Sequence, residues 1–194
     1  MCNNGNSPKT EEKKSAKLNG KNFTRNIAYI GLATAILCVL APLSVPSGIV
    51  PVSLATFAVF FVSATLGWKR GTLAVIVYIL LGLIGLPVFA NFNAGVGIVA
   101  GPTGGFIVGY VFCALITGLL VDLFGKHKFV YPLAMASGLV CCYLFGTFWY
   151  MFSQYVSFAV ALTACVVPFL FFDAIKIAVA SFLSVFIRKT LVLK

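Results

Sequence analysis

Between Asn26 and Ile187, charged side chains occur at only three places: Lys69 with Arg70, the stretch from Asp122 to Lys128, and Asp173 with Lys176. The runs between them are long and apolar, which leaves few folds open. A chain that presents apolar surface along its whole length is solvated by lipid, and in lipid every backbone amide must be satisfied within the chain. Hydrophobic residues make up 61% of the 194 and charged residues only 9%, and a mean hydropathy of +1.06 lies well outside the soluble range. The expected class is an all-α integral membrane protein. The net charge of +10 then reports orientation in the membrane, because nucleic-acid binding would need a basic face on a soluble fold.

The runs resolve into six expected transmembrane helices, at 26–42, 52–66, 71–86, 105–123, 129–151 and 168–188. Three prolines and a glycine in PLSVPSGIVP, at 42–51, mark a turn. Gly67, Trp68, Lys69 and Arg70 close the second run with an interfacial aromatic beside cationic anchors. The last apolar region is too long for one crossing of about 20 residues. Pro168 divides it, leaving a short interfacial piece at 153–167. Residues 1–25 are polar, basic and short of aromatics, so they are expected to form a disordered tail, with the membrane domain at 26–194. An even number of crossings puts both termini on one side. Lys and Arg of the tail, the 69–70 turn, the 126–128 turn and the C-terminal end all fall on that side, which the positive-inside rule makes cytoplasmic.

On the opposite side lies LPVFANFNAGVGIVAGPTGGF, at 86–106. Its glycines and prolines exclude a continuous helix, and its apolar character excludes an ordinary solvated loop. It is expected to be a structured outer connection between the third and fourth spans, capping a binding cavity. Asn91, Asn93, Thr103 and glycine amides supply its polar atoms, and Phe89, Phe92 and Phe106, with Phe171 and Phe172, are candidate apolar walls.

Asp173 and Lys176 stand within the sixth expected span, three residues apart and on one helical face. Charges inside a membrane cost a few kcal/mol or more and by default mark a substrate or ion path. A ligand with an anionic end and N–H donors would use both, Lys176 meeting the anion and Asp173 accepting the donors. The alternative is a structural ion pair that locks helix packing. In the first span Ala28, Gly31 and Ala35 form a small-residue face that lets another helix approach, either from this bundle or from a partner. The six cysteines have no metal-ligand spacing, and His127 is expected to be a solvated surface residue. Neither a nucleophile with its base nor a metal cluster is visible, so no enzyme and no metal site is expected. No GxxxxGK[ST] nucleotide loop occurs either.

GLIGLPVFANFNAGVGIVAGPTGGFIVGY, together with PVSLATFAVFF, the WKRG turn and PFLFFDAIK, resembles the BioY family, the biotin-binding S components of energy-coupling factor (ECF) transporters. The resemblance covers nearly the whole chain after the tail. It implies a six-helix subunit that captures biotin near its outer face and delivers it inward, with energy from separate ATPase subunits. The implied ligand contacts are Asn91 or Asn93, Asp173 and Lys176, with the backbone of Thr103, Gly104 and Gly105 and the Phe106 ring shaping the pocket. The implied partners are biotin, a transmembrane coupling protein docked on the Ala28, Gly31 and Ala35 face, paired ATPases and membrane lipid. The implied setting is the bacterial inner membrane, with ATP used only by the partner subunits and no cofactor in this chain. Phe171-Phe172 stands where the family carries Pro-Gly, which implies a helix that starts earlier.

Overall fold

The computed structural model describes residues 8–45, 52–125 and 127–192. Its helices are α1 (Pro8–Leu40), α2 (Ala55–Ile84), α3 (Val96–Ala100), α4 (Gly104–Phe124), α5 (Val130–Gln154), α6 (Phe158–Cys165) and α7 (Val167–Val192). The strands β1 (Ser44–Val45) and β2 (Val52–Ser53) pair antiparallel between α1 and α2. Five of the described helices are long and apolar enough to cross a membrane, from α1, α2, α4, α5 and α7. Large apolar side chains such as Leu133, Phe182 and Phe186 face outward from them, as lipid-solvated helices require.

α2 corresponds to two of the expected spans and is not straight. Gly67 is non-helical, at φ 79° and ψ 177°. A Cβ on Gly71 would press against the backbone of Ser63, although residues eight apart in a straight helix are about 12 Å apart. The chain therefore reverses at Gly67 into two packed arms, 55–66 and 68–84. Only glycine adopts this backbone without strain.

The expected tail differs. Residues 8–25 continue α1 rather than forming a disordered segment, while 1–7 lie outside the described residues. Lys, Glu and Ala are good helix formers, and extending an anchored helix needs no new nucleus. The turn at 42–51 is described only at its ends, where the β1–β2 pair forms, and Lys126 of the expected basic turn also lies outside the described residues. α6 and the start of α7 fall on either side of Val166, next to the proline that divided the last apolar region.

The core sits where α2, α4 and α5 cross, around Phe60, Val75, Tyr78 and Met135. Small residues set the α4–α5 distance. A Cβ on Gly109 would meet Cys142, one on Gly138 would meet Thr117, and one on Gly146 would meet the Phe106 ring. In lipid there is no hydrophobic gain from bringing helices together, so close backbone contact of this kind supplies the packing energy.

Candidate functional site

The connection after α2 is ordered by its own backbone. Gly85 closes α2 in a left-handed conformation (φ 114°). Phe89 and Asn93 pair across a 3-10 turn at Ala90–Phe92, α3 follows, and the Gly95 amide returns to the Gly82 carbonyl at 2.8 Å. The Trp149 indole donates to the Gly101 carbonyl at 2.9 Å, which ties the connection to α5. Ser44 of β1 ties it to the turn between α1 and α2: the Ser44 hydroxyl accepts from the Asn91 amide at 2.9 Å and donates to Asn91 Oδ1 at 2.7 Å.

Beneath this cap is a cavity of about 310 Å³. Asn91, Asn93, Thr103 and Phe106 line it from above, and Asp173 and Lys176 line it from α7. Six of the eight expected ligand residues are thus brought together. Gly104 and Gly105 are not in the lining: a Cβ on the first would strike the Val99 carbonyl, and on the second Trp149, so their bareness serves packing. Of the expected aromatic walls, Phe89 is buried and lines the cavity, whereas Phe92, Phe171 and Phe172 are 65%, 71% and 50% exposed. The α7 aromatics face away because the cavity face of that helix runs through Phe169, Asp173 and Lys176, at i, i+4 and i+7.

The charged pair has more partners than the sequence suggested. Lys176 Nζ donates to Asp173 Oδ1 at 2.8 Å, to the Ser53 carbonyl at 2.7 Å and to Thr56 Oγ1 at 3.1 Å. Thr56 Oγ1 in turn donates to Asp173 Oδ1 at 3.0 Å, and the Tyr143 hydroxyl donates to Asp173 Oδ2 at 2.5 Å. Asp173 and Lys176 are only 1% and 8% exposed. Neighbouring groups, not a guest alone, complete the wiring of the pair, and all three ammonium N–H bonds are committed to protein acceptors. Lys176 therefore has no uncommitted N–H in this arrangement, and an anion that bonded it would have to replace the Ser53 carbonyl, Thr56 or Asp173.

Ser53, Thr56 and Tyr143 were missed in the sequence. One signal was present: an unpaired hydroxyl is costly in hydrocarbon, so Thr56 and Tyr143 within apolar runs mark faces turned inward. Phe169 was also within reach, four residues before Asp173. Among the described residues no three His, Cys, Asp or Glu side chains gather to hold a metal.

The profile of the BioY family matches residues 10–192. The chain belongs to the BioY family. It is 41% identical over 167 residues to the protein named biotin transporter BioY of Thermotoga maritima, covering 85% of this chain and 96% of that one. It is 36% identical over 156 residues to biotin transporter BioY2 of Lactococcus lactis, covering 78% and 83%. The crystal structure of an S-component for biotin from an ECF-type ABC transporter superposes with a TM-score of 0.81 at 25% identity, covering 87% of this chain and 93% of that one. The α-helical membrane architecture and the family resemblance are thus both borne out. The chain is a multi-pass membrane protein of a transporter family.

Proposed function

We propose that this chain is the substrate-capture (S) subunit of an ECF-type transporter, binding biotin near the outer face and delivering it inward with energy from separate ATPase subunits. It is a transport subunit and not an enzyme, as its family relatives are. The observation that carries this reading is the capped cavity with a buried, hydrogen-bonded Asp173–Lys176 pair at one side, in a chain of a family whose relatives are named for biotin. Its size sits at the lower end of small-molecule pockets, about 300–1,000 Å³.

Biotin presents ureido N–H donors, an apolar thioether bicycle and a carboxylate. In this reading Asp173 accepts a ureido N–H, and Lys176 balances its charge. Phe106 packs on the bicycle, and Asn91, Asn93 and Thr103 of the cap meet the polar ends of the ligand. Because α2 is a folded-back pair of arms, the chain crosses six times. Trp68, Asp122 and Arg188 gather at the end of the bundle opposite the cavity, and Lys69, Arg70, Lys128 and Lys189 lie near it. That end is cytoplasmic by the positive-inside rule, with both termini there, in the bacterial inner membrane. Ala28, Gly31 and Ala35 are exposed, with nothing within 4 Å of a Cβ on Gly31. This face fits a helix of the transmembrane coupling protein, beneath which the paired ATPases use ATP; this chain holds no cofactor of its own, and lipid covers the rest.

The test is binding by the purified full chain in detergent, without ATPase subunits, of labelled biotin against unlabelled biotin, riboflavin and thiamine. One biotin per chain, displaced only by biotin, is the expected result. Displacement by another vitamin, or no biotin bound, overturns it.

A further inference from the structure

Asp173 is held from two helices and from its own. Thr56 at the start of α2 and Lys176 on α7 both bond Oδ1, and Tyr143 of α5 alone bonds Oδ2. A carboxylate has about four lone-pair sites, so with three donors present one acceptor site stays open on a side chain that is 1% exposed and lines the cavity. Without Tyr143, both sites of Oδ2 would be open and water entering the cavity could occupy either. The phenol also fixes the plane of the carboxylate, because it grips the oxygen that Thr56 and Lys176 leave untouched. Its ring is carried by α5, whose distance from α4 is set by glycine contacts, so the donor is placed by rigid packing.

We propose that Tyr143 is a positioning residue that sets ligand specificity: by occupying Asp173 Oδ2 it leaves a single oriented acceptor, complementary to one N–H of a neutral cyclic urea. This rests on the biotin reading above and deepens it. Tyr143 also lines the cavity, but its part in this discrimination is exerted through Asp173, whose open acceptor it fixes. A ligand whose matching nitrogen is alkylated brings a methyl group to a charged acceptor and is rejected, since a site built to bond an N–H loses most when the partner lacks it. Lys176 adds nothing to that discrimination, as its donors are spent.

The experiment measures binding of biotin and of its two ureido N-methyl derivatives to wild-type protein and to Tyr143→Phe, with melting temperatures on the same samples. Wild-type protein is expected to bind at least one derivative roughly a hundred-fold more weakly than biotin, the scale of a charge-assisted hydrogen bond. In Tyr143→Phe the biotin affinity falls roughly ten-fold while that derivative changes little, so the ratio narrows by about ten-fold. Tyr143→Met removes the same hydroxyl with a flexible side chain and is expected to give the same narrowing, which covers the case in which Phe packs badly. Equal losses for biotin and derivative in the folded variants, with the ratio unchanged, overturn the proposal and make Tyr143 a packing residue. Failure of wild-type protein to bind biotin is a separate result and overturns the function itself.

Discussion

Beyond its N-terminal segment the chain has two acids, Asp122 and Asp173, and each meets a base on α7. At the cavity end Asp173 and Lys176 are 2.8 Å apart, with side chains 2% and 9% exposed. At the other end Asp122 and Arg188 are paired with side chains 31% and 21% exposed. Asp122 also accepts the Trp68 amide at 2.9 Å, and Arg188 donates to the Ala64 carbonyl at 3.0 Å. The Trp68 N–H is the first amide after the Gly67 reversal, so Asp122 caps the second arm of α2 from another helix. The two pairs share their chemistry and differ in surroundings. Water at the partly exposed pair screens the charges, and the bonds fasten three chain segments. At the buried pair nothing screens them, and each polar atom must be matched by protein or by ligand.

The largest effect is expected from Lys176→Ala. It leaves a carboxylate buried without its counter-charge, which costs about 3–5 kcal/mol, read as a large drop in melting temperature. Biotin and its uncharged amide should lose affinity together; retention of the amide alone would return Lys176 to the ligand carboxylate and make it a ligand contact rather than the counter-charge of Asp173. A smaller loss is expected for Gly67→Ala, where the strained backbone costs about 1–3 kcal/mol and the new Cβ crowds the Asp122 carboxylate. Its melting temperature falls while biotin affinity in the folded fraction stays within about two-fold, since the reversal is remote from the cavity. Asp122→Asn should cost least, about 0.2–1 kcal/mol, because the amide oxygen still accepts from Trp68. A loss in melting temperature as large as that of Lys176→Ala would show that exposure does not separate the two pairs.

Much of the fold was legible because the decisive signals are one-dimensional. Hydropathy marks the runs that must lie in lipid, Gly67 and Lys69-Arg70 mark the reversal in α2, and Pro168 marks the start of the last helix. Local spacing likewise placed Asp173 and Lys176 on one face, while the count of crossings put the glycine-rich segment on the side away from the Lys and Arg turns. The helix through 8–25 was not legible, because a polar composition excludes a buried core without excluding helix. The exposed side of Phe171 and Phe172 could have been read from their angle to Asp173, but an aromatic beside a charge looks the same in either orientation until its neighbours are known.

By itself the sequence determined that the chain lives in a membrane, where it turns and which helix carries the buried charges, since these depend on residues close together along the chain. Only the tertiary structure decided what those charges touch. Thr56 and Tyr143 reach Asp173 from 117 and 30 residues away, and no local period reports such distances. Helix packing brings the three together, and at a site this buried every donor it delivers changes how much of the carboxylate remains for a ligand.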